Sequence, residues 1–309
     1  MQALCLSDKL AYTKDHPKPR PEPGEALIRV IVAGICGSDL EVLRGYHEFQ
    51  GVLGHEFVGV VEEAADETWV GRRVVAEINC GDELDARHAP DRRVLGLLGH
   101  DGAFAEYVVV PEANLHAVPD EVTDEAAVFC EPLAAALRLR EQVLVSPSDR
   151  MAVVGPGRLR LLIGQVLTLD GGQVTMLGHR PGSLDLPIKF GFAADLAAYM
   201  PDDSFDLVID ATGDPGGLAE AIRLARPLGT VALKSTFAEA AELNLSPVVV
   251  KELTLVGSRC GPFEPALRLL ARQQVDVLPM IDAEYPLKDG LKAFQHAAMP
   301  GALKVLLRP

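Results

Sequence analysis

Two rhythms of apolar residues divide the chain. Up to about Pro111, short β-type runs recur between turn residues, as in Ala26-Leu27-Ile28-Arg29-Val30-Ile31-Val32 and Phe57-Val58-Gly59-Val60-Val61, which predicts a strand-rich, irregular domain. From Arg150 the pattern becomes apolar strands alternating with helical stretches, the order that a parallel sheet with crossover helices requires. The expected strands are Met151–Val154, Gln173–Leu177, Phe205–Ile209, Gly229–Leu233 and Leu253–Gly257. Between the first two, Leu159, Leu162, Ile163, Val166 and Leu167 recur at helical spacing and are expected to pack one face onto the sheet. The apolar tail Ala302–Leu307 reads as returning to the first domain. The expected fold is α/β: a strand-rich domain over residues 1–135, completed by 268–309, and a doubly wound parallel sheet over 136–267.

Length and composition narrow the function classes. A chain of 309 residues accommodates two domains, and 48% hydrophobic with 24% charged residues is ordinary for globular proteins. A formal charge of -15 without a dense basic run argues against nucleic acid and for a small-molecule partner. Met1–Lys9 lacks a basic segment leading into an apolar signal core, and no run is long enough to span a bilayer, so a cytoplasmic protein with no membrane part is expected. Five scattered cysteines read as reduced thiols.

One short region concentrates zinc-type donors. Cys36 lies in Gly34-Ile35-Cys36-Gly37-Ser38-Asp39, and Gly54-His55-Glu56 follows nineteen positions later. A catalytic zinc takes three protein ligands of the S, N and O kinds and keeps one position open. Cys36, His55 and either Glu56 or Glu131 supply that set. Glu131 precedes Pro132, which suits a helix first turn and biases Glu131 towards extended backbone, so that its carboxylate projects from a helix N-terminus. On spacing alone, a buried thiol, a hydrogen-bonded core imidazole and a surface carboxylate are the plainer account of Cys36, His55 and Glu56.

A resemblance reverses that order. The stretch from Ala33 to Glu63, AGICGSDLEVLRGYHEFQGVLGHEFVGVVEE, resembles the catalytic zinc segment of the medium-chain alcohol and polyol dehydrogenases, and Glu131-Pro132-Leu133 falls where that family has its further acidic residue. Similarity extends to Asp210-Ala211-Thr212-Gly213, Leu233-Lys234-Ser235-Thr236 and Gly257–Phe263. The resemblance implies a GroES-like catalytic domain beside a Rossmann domain, one catalytic zinc per chain, and hydride transfer between an alcohol or polyol, or the matching carbonyl, and a nicotinamide. Cys36, Ser38, His55 and Glu56 are then the catalytic residues, with Ser38 passing on the alcohol proton, and a homodimer or homotetramer is the expected assembly. The family's structural zinc lobe carries four close cysteines, whereas Cys80–His88 holds one, so no structural zinc is expected. Asp82, Asp85 and His88 offer donors for a replacement site there but read better as a solvated loop.

The cofactor pattern follows the first strand of the second domain. Gly155-Pro156-Gly157 leads into the helix carrying Arg158 and Leu159, with helix N-terminal amides where a pyrophosphate binds. Arg160 occupies the third position of G-x-G-x-x-G, which a glycine normally fills, so either the helix shifts or Arg160 lies with its stem packed and its head in water. At the end of the second strand, Gly178-His179-Arg180 offers no carboxylate for ribose hydroxyls; His179 and Arg180 instead suit a 2'-phosphate, favouring NADP over NAD. Ala211, Thr212, Lys234 and Ser235 stand at further strand ends, bordering the nicotinamide and ribose. Tyr46, Phe49 and Trp69 are examples of substrate-pocket side chains. Two rivals remain: a zinc-free quinone reductase using NADPH, against which the ligand set argues, and a dinucleotide-binding protein without catalysis.

Overall fold

The computed structural model describes residues 1–45, 48–81, 86–155, 157–169, 171–236 and 242–309. Two compact units are present, one formed by Met1–Pro132 with Phe263–Pro309 and the other by Leu133–Pro262. Among the described residues, no helix is long and apolar enough to cross a membrane.

The first unit is built around the strand Glu25–Gly34, whose Leu27, Ile28, Val30, Val32 and Ala33 are all buried. Broken by the exposed Arg29, this apolar run suits a strand covered on both faces over most of its length. It pairs antiparallel with Glu56–Glu63, with Tyr107–Pro111 and with the C-terminal strand Lys304–Arg308. Gly34 lies opposite Glu56 in one pairing and opposite Leu306 in the other. The register therefore draws three distant segments, near positions 34, 56 and 304, to one end of the sheet.

The backbone leading into that end is tightly packed. Gly102 N donates to Val52 O at 2.7 Å and Ala103 N to Gly54 O at 2.9 Å. The three atoms nearest to a Cβ on Gly102 would be backbone atoms of Leu53, Gly54 and Gly96, none of which yields by a rotamer change.

The second unit holds six parallel strands in the order Ala193–Leu196, Gln173–Gly178, Arg150–Val154, Phe205–Asp210, Ala225–Leu233, Thr254–Gly257. Numbered along the chain this is 3-2-1-4-5-6, the Rossmann order, whose reversal between the first and fourth strands opens a ligand crevice at their carboxyl ends. The five expected strands are present with slightly longer bounds in most cases. Ala193–Leu196 was not expected, being a four-residue edge strand with no fully buried position and hence no apolar run. Helices Arg158–Thr168 and Gly217–Leu224 cover the sheet, with Ala221, Ile222 and Leu224 packed among Ala152, Val208 and Val231.

Gly102→Ala is expected to lower the unfolding free energy by about 1–3 kcal/mol, the usual cost of overpacking. Urea denaturation measures it, and a loss of less than about 0.5 kcal/mol, the ordinary scale of a surface substitution, would show that this crossing is not tight.

Candidate metal centre and cofactor site

Cys36 stands two residues beyond the end of the Glu25–Gly34 strand and caps the helix Gly37–Leu43. Asp39, in the first turn of that helix, accepts the Cys36 backbone N–H at 2.8 Å through Oδ2 and fixes the turn. His55 immediately precedes the strand Glu56–Glu63. Because Gly34 and Glu56 are register partners, the Cys36 turn lies beside His55 and Glu56. One donor atom from each of Cys36, His55 and Glu56 lies within 4.8 Å of the other two. His55 and Glu56 are buried, and Cys36 is half-buried.

This chemistry fits a metal. In a tetrahedral site with ligand bonds of ~2.0–2.3 Å the donors stand roughly 3.3–3.8 Å apart, which small side-chain movements reach from here. Glu56 Oε1 is buried and has no hydrogen-bond partner among the described residues, a costly state that a cation relieves. His55 Nδ1 approaches Asp39 Oδ1 to 3.2 Å but without the alignment of a full hydrogen bond. A carboxylate in that position can orient the ring and leave its other nitrogen for a metal. Burial alone would lower the His55 pKa, but the negative charges of Asp39 and Cys36 beside the ring hold it well above the ordinary histidine value. The Cys36 thiol also contacts Ser38 Oγ at 3.8 Å, so that hydroxyl stands beside the donors.

Glu56 Oε2 pairs with Lys304 Nζ, and both side chains are about 1% exposed. A Cβ on Gly34 would press on Val128, Glu56 and Lys304 together, so glycine there leaves the room in which the pair meets. The lysine ammonium also lies 5.5 Å from the Phe129 ring centroid.

Glu131 is placed differently from the expectation. It is half-buried in the first turn of the helix Cys130–Gln142, not in extended backbone, because the helix begins one residue earlier and holds Pro132 where the missing N–H has no partner to lose. The close donor group does not include it. Cys80 is a buried thiol whose pKa burial pushes up to about 11, and Asp82 and Asp85 lie outside the described residues, as does Tyr46. Phe49 is a core residue, and Trp69 lies near Arg72 on a short turn.

In the second unit, Gly155 adopts φ +141° and a side chain there would strike the Ala211 carbonyl, so the turn after the first strand presses against the end of the fourth. Gly157 caps the helix that starts at Arg158 and Leu159, and Pro156 lies outside the described residues. Asp210 organises the neighbouring strand ends. Its buried Oδ1 accepts from Thr212 N at 3.0 Å, Thr212 Oγ1 at 2.7 Å and Ser235 Oγ at 3.0 Å, while Gly213 N donates to Ser235 Oγ at 2.9 Å. Lys234 instead turns away, donating to Ala135 O at 2.7 Å and Ser258 Oγ at 3.3 Å. His179 and Thr212 face a cleft of about 830 Å³, with Ala198, Asp214 and Gly217 among its walls. Arg180 is exposed and caps the turn Pro181–Ser183.

Known proteins carry the same two parts. The model of the alcohol dehydrogenase GroES-like domain matches residues 22–120, and that of the zinc-binding dehydrogenases matches 161–272. A sorbitol dehydrogenase from Halalkalibacterium halodurans is 31% identical, over 96% of this chain and 95% of its own. The chain belongs to the zinc-dependent medium-chain alcohol and polyol dehydrogenases. Its fold also superposes on a zinc-binding dehydrogenase from Sinorhizobium meliloti bound to NADP, with a TM-score of 0.89, 26% identity and coverage of 100% and 99% of the two chains. An alcohol dehydrogenase from Escherichia coli CFT073 complexed with NADH gives 0.90 and 27%, with the same coverage. As a member of this family the protein is a zinc-containing oxidoreductase that uses a nicotinamide cofactor.

Three residues of these sites escaped the sequence reading. Asp39 was legible in principle, as an acid three positions after a helix-capping cysteine, and Asp210 as a strand-terminal acid before Ala-Thr-Gly. Lys304 gives no local signal, since Glu56 is 248 positions away.

Lys304→Met in chelator-treated protein is expected to cost about 3 kcal/mol of unfolding free energy, because it leaves a buried carboxylate unpaired. Adding Glu56→Gln should restore much of that loss. Denaturant unfolding of both variants tests it, and additive losses would mean the two side chains are not coupled.

Proposed function

We propose that this enzyme oxidises a secondary alcohol or polyol and reduces the matching carbonyl, with NADP as its preferred carrier and one zinc ion per chain. The reading rests most on the convergence of Cys36, His55 and Glu56 within 4.8 Å, with Glu56 Oε1 lacking a partner. Those three residues hold the zinc, and Asp39 orients His55. Zinc when bound supplies a Lewis acid for the substrate oxygen, and the nicotinamide supplies or accepts the hydride. Ser38, beside Cys36, relays the proton of the substrate hydroxyl: its Oγ takes that proton as it passes its own on towards solvent. Lys304 balances the Glu56 charge. Glu131 is held in reserve in its helix, available to the metal only on rearrangement. A sorbitol dehydrogenase among the relatives supports polyols as the substrate class.

Gly155, Gly157 and the amides at Arg158 and Leu159 cradle the pyrophosphate, and the Asp210 network sets Ala211, Thr212 and Ser235 along the cofactor. Lys234 acts from behind, through the Ala135 carbonyl. No acidic side chain follows the Gln173–Gly178 strand, and His179 with Arg180 occupies that place, which supports NADP. The reading extends to a homo-oligomer: among the described residues the outermost strand Thr254–Gly257 has one unpaired edge, and Leu228, Val249, Val250 and Leu255 are exposed.

Cys36→Ser is expected to abolish alcohol-dependent reduction of NADP while leaving NADPH binding intact; retained turnover would remove the metal reading and favour the quinone-reductase type. Arg180→Ala should weaken NADPH by about tenfold and NADH hardly at all, the scale of one charged hydrogen bond, measured by nicotinamide fluorescence. Equal effects on both cofactors would argue against a 2'-phosphate role. Val250→Asp with Leu255→Lys should reduce the sedimenting mass to that of one chain, and an unchanged mass would rule out this edge as the contact.

A further inference from the structure

Arg160 departs from the glycine pattern of dinucleotide folds, and the structure gives it a definite place. The side chain is 2% exposed, so its head is not in water, and of the two alternatives open from the sequence the outward head is excluded. Close approach of the helix Arg158–Thr168 to the sheet is provided one turn later, by Gly164, where a Cβ would collide with Met176 and crowd Phe192. That leaves room at position 160 for a side chain directed along the sheet towards its carboxyl end.

The Arg160 guanidinium joins three pieces of chain. Nη1 donates to Leu177 O at 3.2 Å, a carbonyl that also accepts Gly155 N at 3.2 Å, and Nη2 donates to Ser183 O at 2.9 Å. Ser183 in turn closes on Arg180, giving its N–H at 3.0 Å and its hydroxyl at 2.7 Å to the Arg180 carbonyl. Gly178 permits this closure, since a Cβ there would strike Ser183 Oγ. The first helical turn, the second strand and the Gly178–Ser183 turn with His179 and Arg180 are thus tied by one side chain.

Among the described residues, the charge of Arg160 has no counter-ion. Among the described residues its partners are backbone carbonyls, Nε is buried without a partner, and no carboxylate pairs with it. Burial lowers its pKa to about 10, so it stays protonated at neutral pH. A buried, unpaired cation is expensive unless an anion arrives to face it.

We propose that Arg160 is a positioning residue for cofactor discrimination: it locks the Gly178–Ser183 turn so that His179 and Arg180 receive the ribose phosphate of NADP, whose negative charge complements the buried guanidinium. The inference rests on the NADP reading above and adds to it the residue that makes the turn rigid. The same position carries a glycine in the usual pattern, so the chain exchanges a tight helix start for a fixed cationic turn.

The test compares the zinc-loaded wild type with Arg160→Met, Arg160→Lys and Arg180→Ala, titrated with NADPH and NADH and then with 2',5'-ADP against 5'-AMP as competitors. Arg160→Met should weaken NADPH and 2',5'-ADP by about tenfold and change NADH and 5'-AMP by less than about twofold, with kcat at saturating NADPH unchanged. Arg160→Lys keeps the charge but reaches one carbonyl, and should fall between. If Arg180→Ala loses NADPH selectively while Arg160→Met weakens both cofactors alike, or neither, the inference is overturned and the NADP reading stands. A wild type that binds NADPH and NADH equally overturns both. Should Arg160→Met not fold, Arg160→Lys decides: an unchanged ratio of the two affinities contradicts the proposal.

Discussion

Glu56 and Lys304 meet where water reaches neither side chain, and the catalytic unit is arranged around that contact. An ion pair so deeply buried survives only if both charges are held close and their other groups are satisfied. Lys304 comes from the C-terminal strand, Glu56 from the strand across the sheet, and Gly34 between them keeps the space open. Oε2 of the carboxylate is thereby neutralised, Oε1 has no hydrogen-bond partner among the described residues, and one oxygen of the group stands within 4.8 Å of the donor atoms of Cys36 and His55. The pairing that makes the sheet also composes the donor set, so the site and the fold are stabilised by the same register.

The nucleotide-binding unit solves a parallel problem with different parts. Here the strand ends must be held rigid without a metal, and two buried charged groups do it. Asp210 collects three donors from Thr212 and Ser235, while Arg160 gathers carbonyls from the second strand and the turn beyond it. Each acts through backbone and hydroxyl groups, which is how a short loop acquires one conformation despite having little apolar surface to bury.

Much of this was legible in the sequence because the relevant residues are local. Cys36, His55 and Glu56 fall within twenty-one positions, and the strand-turn-helix around Gly155 and Gly157 is continuous chain. The alternation of apolar strands and helices sufficed for the parallel sheet. What escaped depends on tertiary contact. The Lys304 partner lies at the other end of the chain, and the choice between a shifted helix and an outward Arg160 head stays open without the carbonyls of Leu177 and Ser183 that the fold brings within its reach. Glu131 was misread because a proline rule disfavours helix at the preceding residue, yet the helix starts at Cys130 and takes both residues into its first turn. The edge strand Ala193–Leu196 is too short and too exposed to leave a pattern.

The most direct test of the metal centre is X-ray absorption at the zinc edge of the purified enzyme. A site built from Cys36, His55 and Glu56 predicts one zinc per chain with a single sulfur neighbour at ~2.3 Å and nitrogen or oxygen neighbours at ~2.0–2.2 Å. A sulfur-rich shell, or a protein that retains no zinc, would contradict the account.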